Sequence, residues 1–128
     1  MFRVTLYMIQ KNQDHYFSVY DNKNPKGIIL QVDNGYPVQS FYAMDGNVRI
    51  QQGVYSSAKE NGLPMIGLYD NKQNLKTLLR LAGPNESPVI IMKDNNQKIR
   101  LIFGLDMKGE KQDPFMATFD KAGNKSMI

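Results

Sequence analysis

Residues 64–76 read P-M-I-G-L-Y-D-N-K-Q-N-L-K, residues 88–100 read P-V-I-I-M-K-D-N-N-Q-K-I-R, and residues 114–126 read P-F-M-A-T-F-D-K-A-G-N-K-S. In each copy a proline opens an apolar stretch and an aspartate follows six residues later: Pro64 and Asp70, Pro88 and Asp94, Pro114 and Asp120. Two weaker copies lie upstream. One is Tyr16–Asn24, with Asp21. The other runs from Gly35-Tyr36-Pro37 to Asp45-Gly46-Asn47, with two extra residues between proline and aspartate. The aspartates 21, 45, 70, 94 and 120 are thus 24, 25, 24 and 26 residues apart. A fixed period of this length is the signature of stacked or radially arranged supersecondary units.

Each unit reads as a β-hairpin. Proline opens a strand where no ladder N–H is needed. Aspartate begins a tight turn, because its carboxylate can accept a hydrogen bond from a backbone N–H two residues on. The residue three past the aspartate falls where such turns favour a left-handed backbone. Gly123 suits that position and Asn24 tolerates it, whereas Gln73 and Gln97 fit less well. Aliphatic return strands follow at Leu75–Leu81 and Ile99–Leu105. Phe2–Gln10 alternates at strand spacing and has no proline–aspartate signature, so it either pairs within the chain or adds to a neighbour's edge. The last strand is short, which leaves a sheet edge open. Only Ser57-Ala58-Lys59-Glu60, before Asn61-Gly62, suggests a helical turn. The expectation is an all-β, antiparallel meander of about five hairpins in one domain over residues 1–128. The units fall near 14–33, 35–55, 62–83, 86–106 and 112–128, arranged as an open sheet, a sandwich or a barrel.

Composition narrows the function. The chain has 128 residues, one histidine and no cysteine, which excludes disulfides, thiolate metal sites and multi-histidine centres. No cofactor motif is present: there is no glycine-rich phosphate loop and no G-x-S-x-G around any serine. His15 has no nucleophile or carboxylate placed beside it by a motif, and the turns Asp21-Asn22-Lys23-Asn24 and Asp70-Asn71-Lys72-Gln73 carry lysine where a calcium loop needs oxygen. Nothing points to an enzyme. Arg3, Thr5 and Gln10 interrupt the N-terminal apolar run, so no signal peptide is read; the sequence leaves the compartment open, cytoplasmic by default and surface or assembly-associated if the chain is a fragment. No apolar run approaches the length of a membrane span.

Charge and strand faces carry the remaining signal. The net charge is +4, with no basic run that marks nucleic acid binding. Lys76 and Arg100 stand six residues after their aspartates. With Arg80 and Lys98 they form a candidate cationic row for an anionic ligand. Seven tyrosines concentrated in the first 70 residues could stack a carbohydrate. In the third and fourth units both strand faces carry bulk: Val89 and Ile91 on one, Ile90 and Met92 on the other. A lone chain of short hairpins has little left to cover a second face. The expectation is therefore a non-enzymatic structural or protein-interaction module that self-assembles through sheet faces or edges. The alternative is a monomeric binding module for an anionic or carbohydrate ligand.

Overall fold

The turns set the architecture. Asp70 Oδ1 accepts the backbone N–H groups of Lys72 (2.8 Å) and Asn74 (2.9 Å), and the Asp70 N–H donates to the Asn74 carbonyl (3.0 Å). Asp94 and Asp120 close the corresponding turns with Lys98 and Asn124. The third residue after the aspartate is left-handed in each case: Gln73 at φ 63°, Gln97 at 62° and Gly123 at 91°.

The second unit corrects the phase read from the sequence. Its turn begins at Ala43, whose N–H donates to the Asn47 carbonyl (2.9 Å), and its left-handed residue is Gly46 at φ 82°. Ala43 stands six residues after Pro37, so the two extra residues vanish and Asp45 sits inside the turn. Asp45 accepts the Asn47 N–H (2.9 Å) instead of opening the hairpin. The first unit differs more. Asp21 Oδ1 accepts from Lys23 and Asn24, the left-handed residue is Gly27, and Asn24 uses its side chain to bond the Tyr42 carbonyl (2.7 Å).

A computed structural model describes residues 3–8, 15–33, 35–55, 60 and 62–128. The helical turn expected at Ser57–Glu60 lies, but for Glu60, outside these residues. Eleven strands are described: β1 (Arg3–Met8), β2 (His15–Tyr20), β3 (Ile28–Asp33), β4 (Tyr36–Tyr42), β5 (Val48–Val54), β6 (Pro64–Tyr69), β7 (Leu75–Ala82), β8 (Ser87–Lys93), β9 (Ile99–Leu105), β10 (Pro114–Phe119) and β11 (Lys125–Met127). They form one antiparallel sheet in chain order, β1 to β11. β1 pairs with β2 of the same chain. Among the described residues β1 and β11 do not pair with each other, so the sheet is open.

Register shifts recur one residue before three of the turns, at Phe41/Tyr42, Leu68/Tyr69 and Met92/Lys93. An extra residue at the same point in each hairpin re-aims the strands identically. Gly53 and Gly104 lie ten residues after Ala43 and Asp94 and allow close strand approach. A Cβ on Gly104 would lie 2.2 Å from the Pro88 carbonyl oxygen, and one on Gly53 2.4 Å from that of Pro37.

Among the described residues no second layer packs on this sheet. The buried apolar side chains are Leu78, Val89 and Ala117, with Ser18 and Ser40 buried beside them. Pairing puts all five on one face: Leu78 lies opposite Ile91, Val89 opposite Arg80, Ala117 opposite Ile102, Ser18 opposite Ile29 and Ser40 opposite Gln51. They are mid-strand residues.

Candidate functional site: an uncharged sheet face

Alternation along each strand sorts the side chains into two faces that differ in charge. Arg49, Lys76, Arg80, Lys93, Arg100 and Lys125 all project from the face that holds the buried core. The opposite face has no Lys, Arg, Asp or Glu at any strand position from β2 to β11. One middle row across it runs Ile66, Leu79, Ile90, Phe103 and Met116. A second row, at the proline end, runs Pro64, Leu81, Pro88, Leu105 and Pro114.

This uncharged face is the more exposed one. Phe17, Leu30, Val32, Ile50, Ile66, Leu68, Leu79, Met92, Leu105 and Met116 lie on it and are 37–47% exposed. Two open depressions scallop it. One, of about 670 Å³, is bounded by Leu79, Ile90, Phe103, Leu105 and Met116. Beside it, about 290 Å³ is bounded by Pro64, Ile66, Leu81 and Pro88. Contiguous exposed apolar surface on this scale marks an interaction site or an aggregation liability.

One polar pair interrupts the face near the middle of the sheet. Gln39 on β4 and Gln52 on β5 lie opposite each other, and Gln52 Nε2 donates to Gln39 Oε1 (2.6 Å). The Gln39 amide N–H groups, the second Gln52 N–H and Gln52 Oε1 remain available for other partners.

The charged face holds the cationic row expected from the sequence, with altered membership. Lys76 and Arg100 do occupy equivalent positions, and Arg49, six residues after Ala43, completes the row. Its cations tie one hairpin to the next. Arg49 Nε donates to the Tyr69 carbonyl (3.0 Å), Arg100 Nε to the Phe119 carbonyl (2.7 Å), and Lys76 Nζ to Asn95 Oδ1. Where an aspartate opens the turn, the cation also faces it: Lys76 with Asp70 (3.9 Å) and Arg100 with Asp94 (3.4 Å). Lys98 lies in the turn, and its Nζ donates to the Lys121 carbonyl (3.3 Å).

Arg80 does not join them. It sits toward the other end of β7, where Tyr55 and Glu60 lie against it. Its guanidinium stacks on the Tyr55 ring at 4.6 Å, its Nε donates to the Leu81 carbonyl (3.0 Å), and its Nη2 pairs with Glu60 Oε2. Those last two atoms are shut off from solvent and each is the other's partner. Arg80 is thus a structural clamp, and its side chain is only 11% exposed.

Tyrosines 20, 36, 42 and 69 share the charged face by register, and Tyr55, just past β5, stacks on Arg80 of that face. Three have named partners there. Lys26 lies over the Tyr42 ring (5.2 Å), Arg80 over Tyr55, and Tyr69 donates to Gln51 Oε1 (3.4 Å). Burial first, and then Tyr55, push the Tyr69 hydroxyl above its ordinary value, so it stays a protonated donor. Gln51 in turn donates to the buried Ser40 hydroxyl (3.2 Å).

No protein-family model matches the chain, and no curated protein matches it. The physical reading of its surfaces therefore stands alone.

Proposed function

We propose that this protein is a non-enzymatic interaction module that self-assembles by covering its uncharged sheet face with a second copy of itself. One observation carries the reading: the strand charges project from one face only, and the other is apolar, exposed and without a covering layer among the described residues.

The magnitudes agree with an extensive contact. Burying one Val, Leu, Ile, Phe or Met completely contributes ~1.5–3 kcal/mol. With about two-fifths of each such side chain still open, covering it contributes roughly 0.6–1.2 kcal/mol more. Association itself costs ~4–15 kcal/mol, so a few of these residues cannot hold a complex and most of the face together can. A second copy is the fitting occupant because an uncharged face complements itself, and two sheets stack well at ~10 Å. A bilayer fits less well. Strands β1–β10 have six to eight residues, whereas a spanning strand needs ~9–11.

Sedimentation velocity tests the reading. The wild-type chain sediments as a dimer or larger species at micromolar concentration. Leu79→Glu and Phe103→Glu, on the uncharged face, reduce it to a monomer, while Lys93→Glu on the other face leaves the assembly intact. A wild-type chain that stays monomeric across this range refutes the reading.

A further inference from the structure

Among the described residues the Gln39–Gln52 pair is the one side-chain hydrogen bond between strands on the uncharged face. We propose that it registers the assembly: two copies meet about a twofold axis between their sheets, with the glutamine pair of one opposite the glutamine pair of the other. This rests on the self-assembly reading above and specifies its geometry.

The argument is one of polar satisfaction. The pair sits on β4 and β5 of eleven strands, in the same row as Leu30 and Ile66. Covering the face removes water from it. The internal bond uses one donor and one acceptor, and leaves Gln52 Oε1, the second Gln52 N–H and the Gln39 N–H groups without water. Each buried group left unmet costs ~1–3 kcal/mol. By strand register the face's other polar residues are His15 on β2, Thr77 on β7, Thr118 on β10 and Ser126 on β11. A partner's apolar row over the pair strands these groups. A partner's own Gln39–Gln52 pair meets Gln52 Oε1 and a Gln39 N–H of each copy, Gln39 N–H to Gln52 Oε1 in both directions, as a twofold contact requires. A lone polar contact in an apolar seam is also a well-attested way of fixing register.

Charge exchange tests the geometry. One variant carries Gln39→Glu and Gln52→Glu, the other Gln39→Lys and Gln52→Lys. Each alone brings like charges together and sediments as a monomer, its association weakened roughly a hundredfold or more. Mixed in equal amounts, the two form a heterodimer that salt weakens. If the mixture stays monomeric while the wild type assembles, the pairs do not oppose each other and the register is wrong, with self-assembly untouched. If either variant alone still assembles, the pair lies outside the contact and the proposal also fails. If the wild type itself is monomeric, the underlying reading has failed. Should the double variants lose their β-sheet circular dichroism, Gln39→Glu mixed with Gln39→Lys poses the same question with one charge per chain.

Discussion

Adding one methyl group at Gly104 should force two strands apart. The built Cβ would meet the Pro88 carbonyl oxygen at 2.2 Å, Val89 Cγ1 at 2.9 Å and Val89 Cα at 3.0 Å. A carbonyl in the ladder cannot swing aside without losing its pairing. β8 and β9 must therefore move by roughly 1 Å to restore an ordinary contact of about 3.5 Å. Strain of this kind costs ~1–3 kcal/mol. For a domain of this size it lowers the melting temperature by roughly 3–15 °C. Gly67→Ala is the matched control. Its Cβ would meet Leu75 Cδ1 at 3.0 Å and Tyr69 Cε2 at 3.2 Å, which are side-chain atoms that can shift. The stiffer unfolded chain returns ~0.4–1 kcal/mol, so this variant should be close to neutral. Thermal melts followed by circular dichroism at one fixed protein concentration, because assembly makes the midpoint concentration-dependent, give the comparison. If Gly104→Ala melts with the wild type, or Gly67→Ala falls as far as Gly104→Ala, close backbone approach is not what these glycines provide.

The turns and the clamp yield further expectations. Gln73→Gly and Gln97→Gly should each stabilise by roughly 0.5–1 kcal/mol, since relief of ~1–2 kcal/mol of left-handed strain exceeds the entropy lost to glycine; urea midpoints measure this. Arg80→Met alone should cost ~3–5 kcal/mol by leaving Glu60 without its partner, and Arg80→Met with Glu60→Leu should recover most of that in the same assay. Acid should loosen the turn end. At Asp70 the Asn74 backbone N–H, and at Asp120 the Asn124 side chain, hold the carboxyl below its ordinary value. At Asp94 burial pushes upward but is outweighed by the Lys98 and Asn96 N–H groups and Arg100. Folded values below unfolded ones mean that this stabilisation is complete above the usual carboxylate range and disappears as pH falls through the folded values. Melting temperature between pH 7 and 2.5 should therefore drop less steeply for Asp94→Asn than for the wild type.

The hairpins were legible because their signals are local. Proline, aspartate and the left-handed position all act within about ten residues, and Leu75–Leu81 and Ile99–Leu105 emerge as strands within one residue of the observed ends. The second unit's phase was not, because Ala43 closes the backbone bonds that aspartate closes elsewhere. That error hid Arg49, which becomes equivalent to Lys76 and Arg100 only once Ala43 opens the turn. The difference between the two faces is hidden for a related reason. Bulk is present on both, as at Ile90 and Ile91, and what separates them is charge, visible only when every strand is in register. Arg80 shares charge and strand parity with the row in the sequence, and its separate role comes from Glu60 and Tyr55, which periodicity does not place beside it.

Every strand in this sheet pairs only with the strands before and after it in the chain. Contact order is correspondingly low, and folding can begin at any hairpin and spread in both directions. The molecule's width is then a matter of how many two-dozen-residue modules are encoded. Gene duplication or deletion could widen or narrow the platform without redesigning a core, and the area offered to a partner would change in fixed steps.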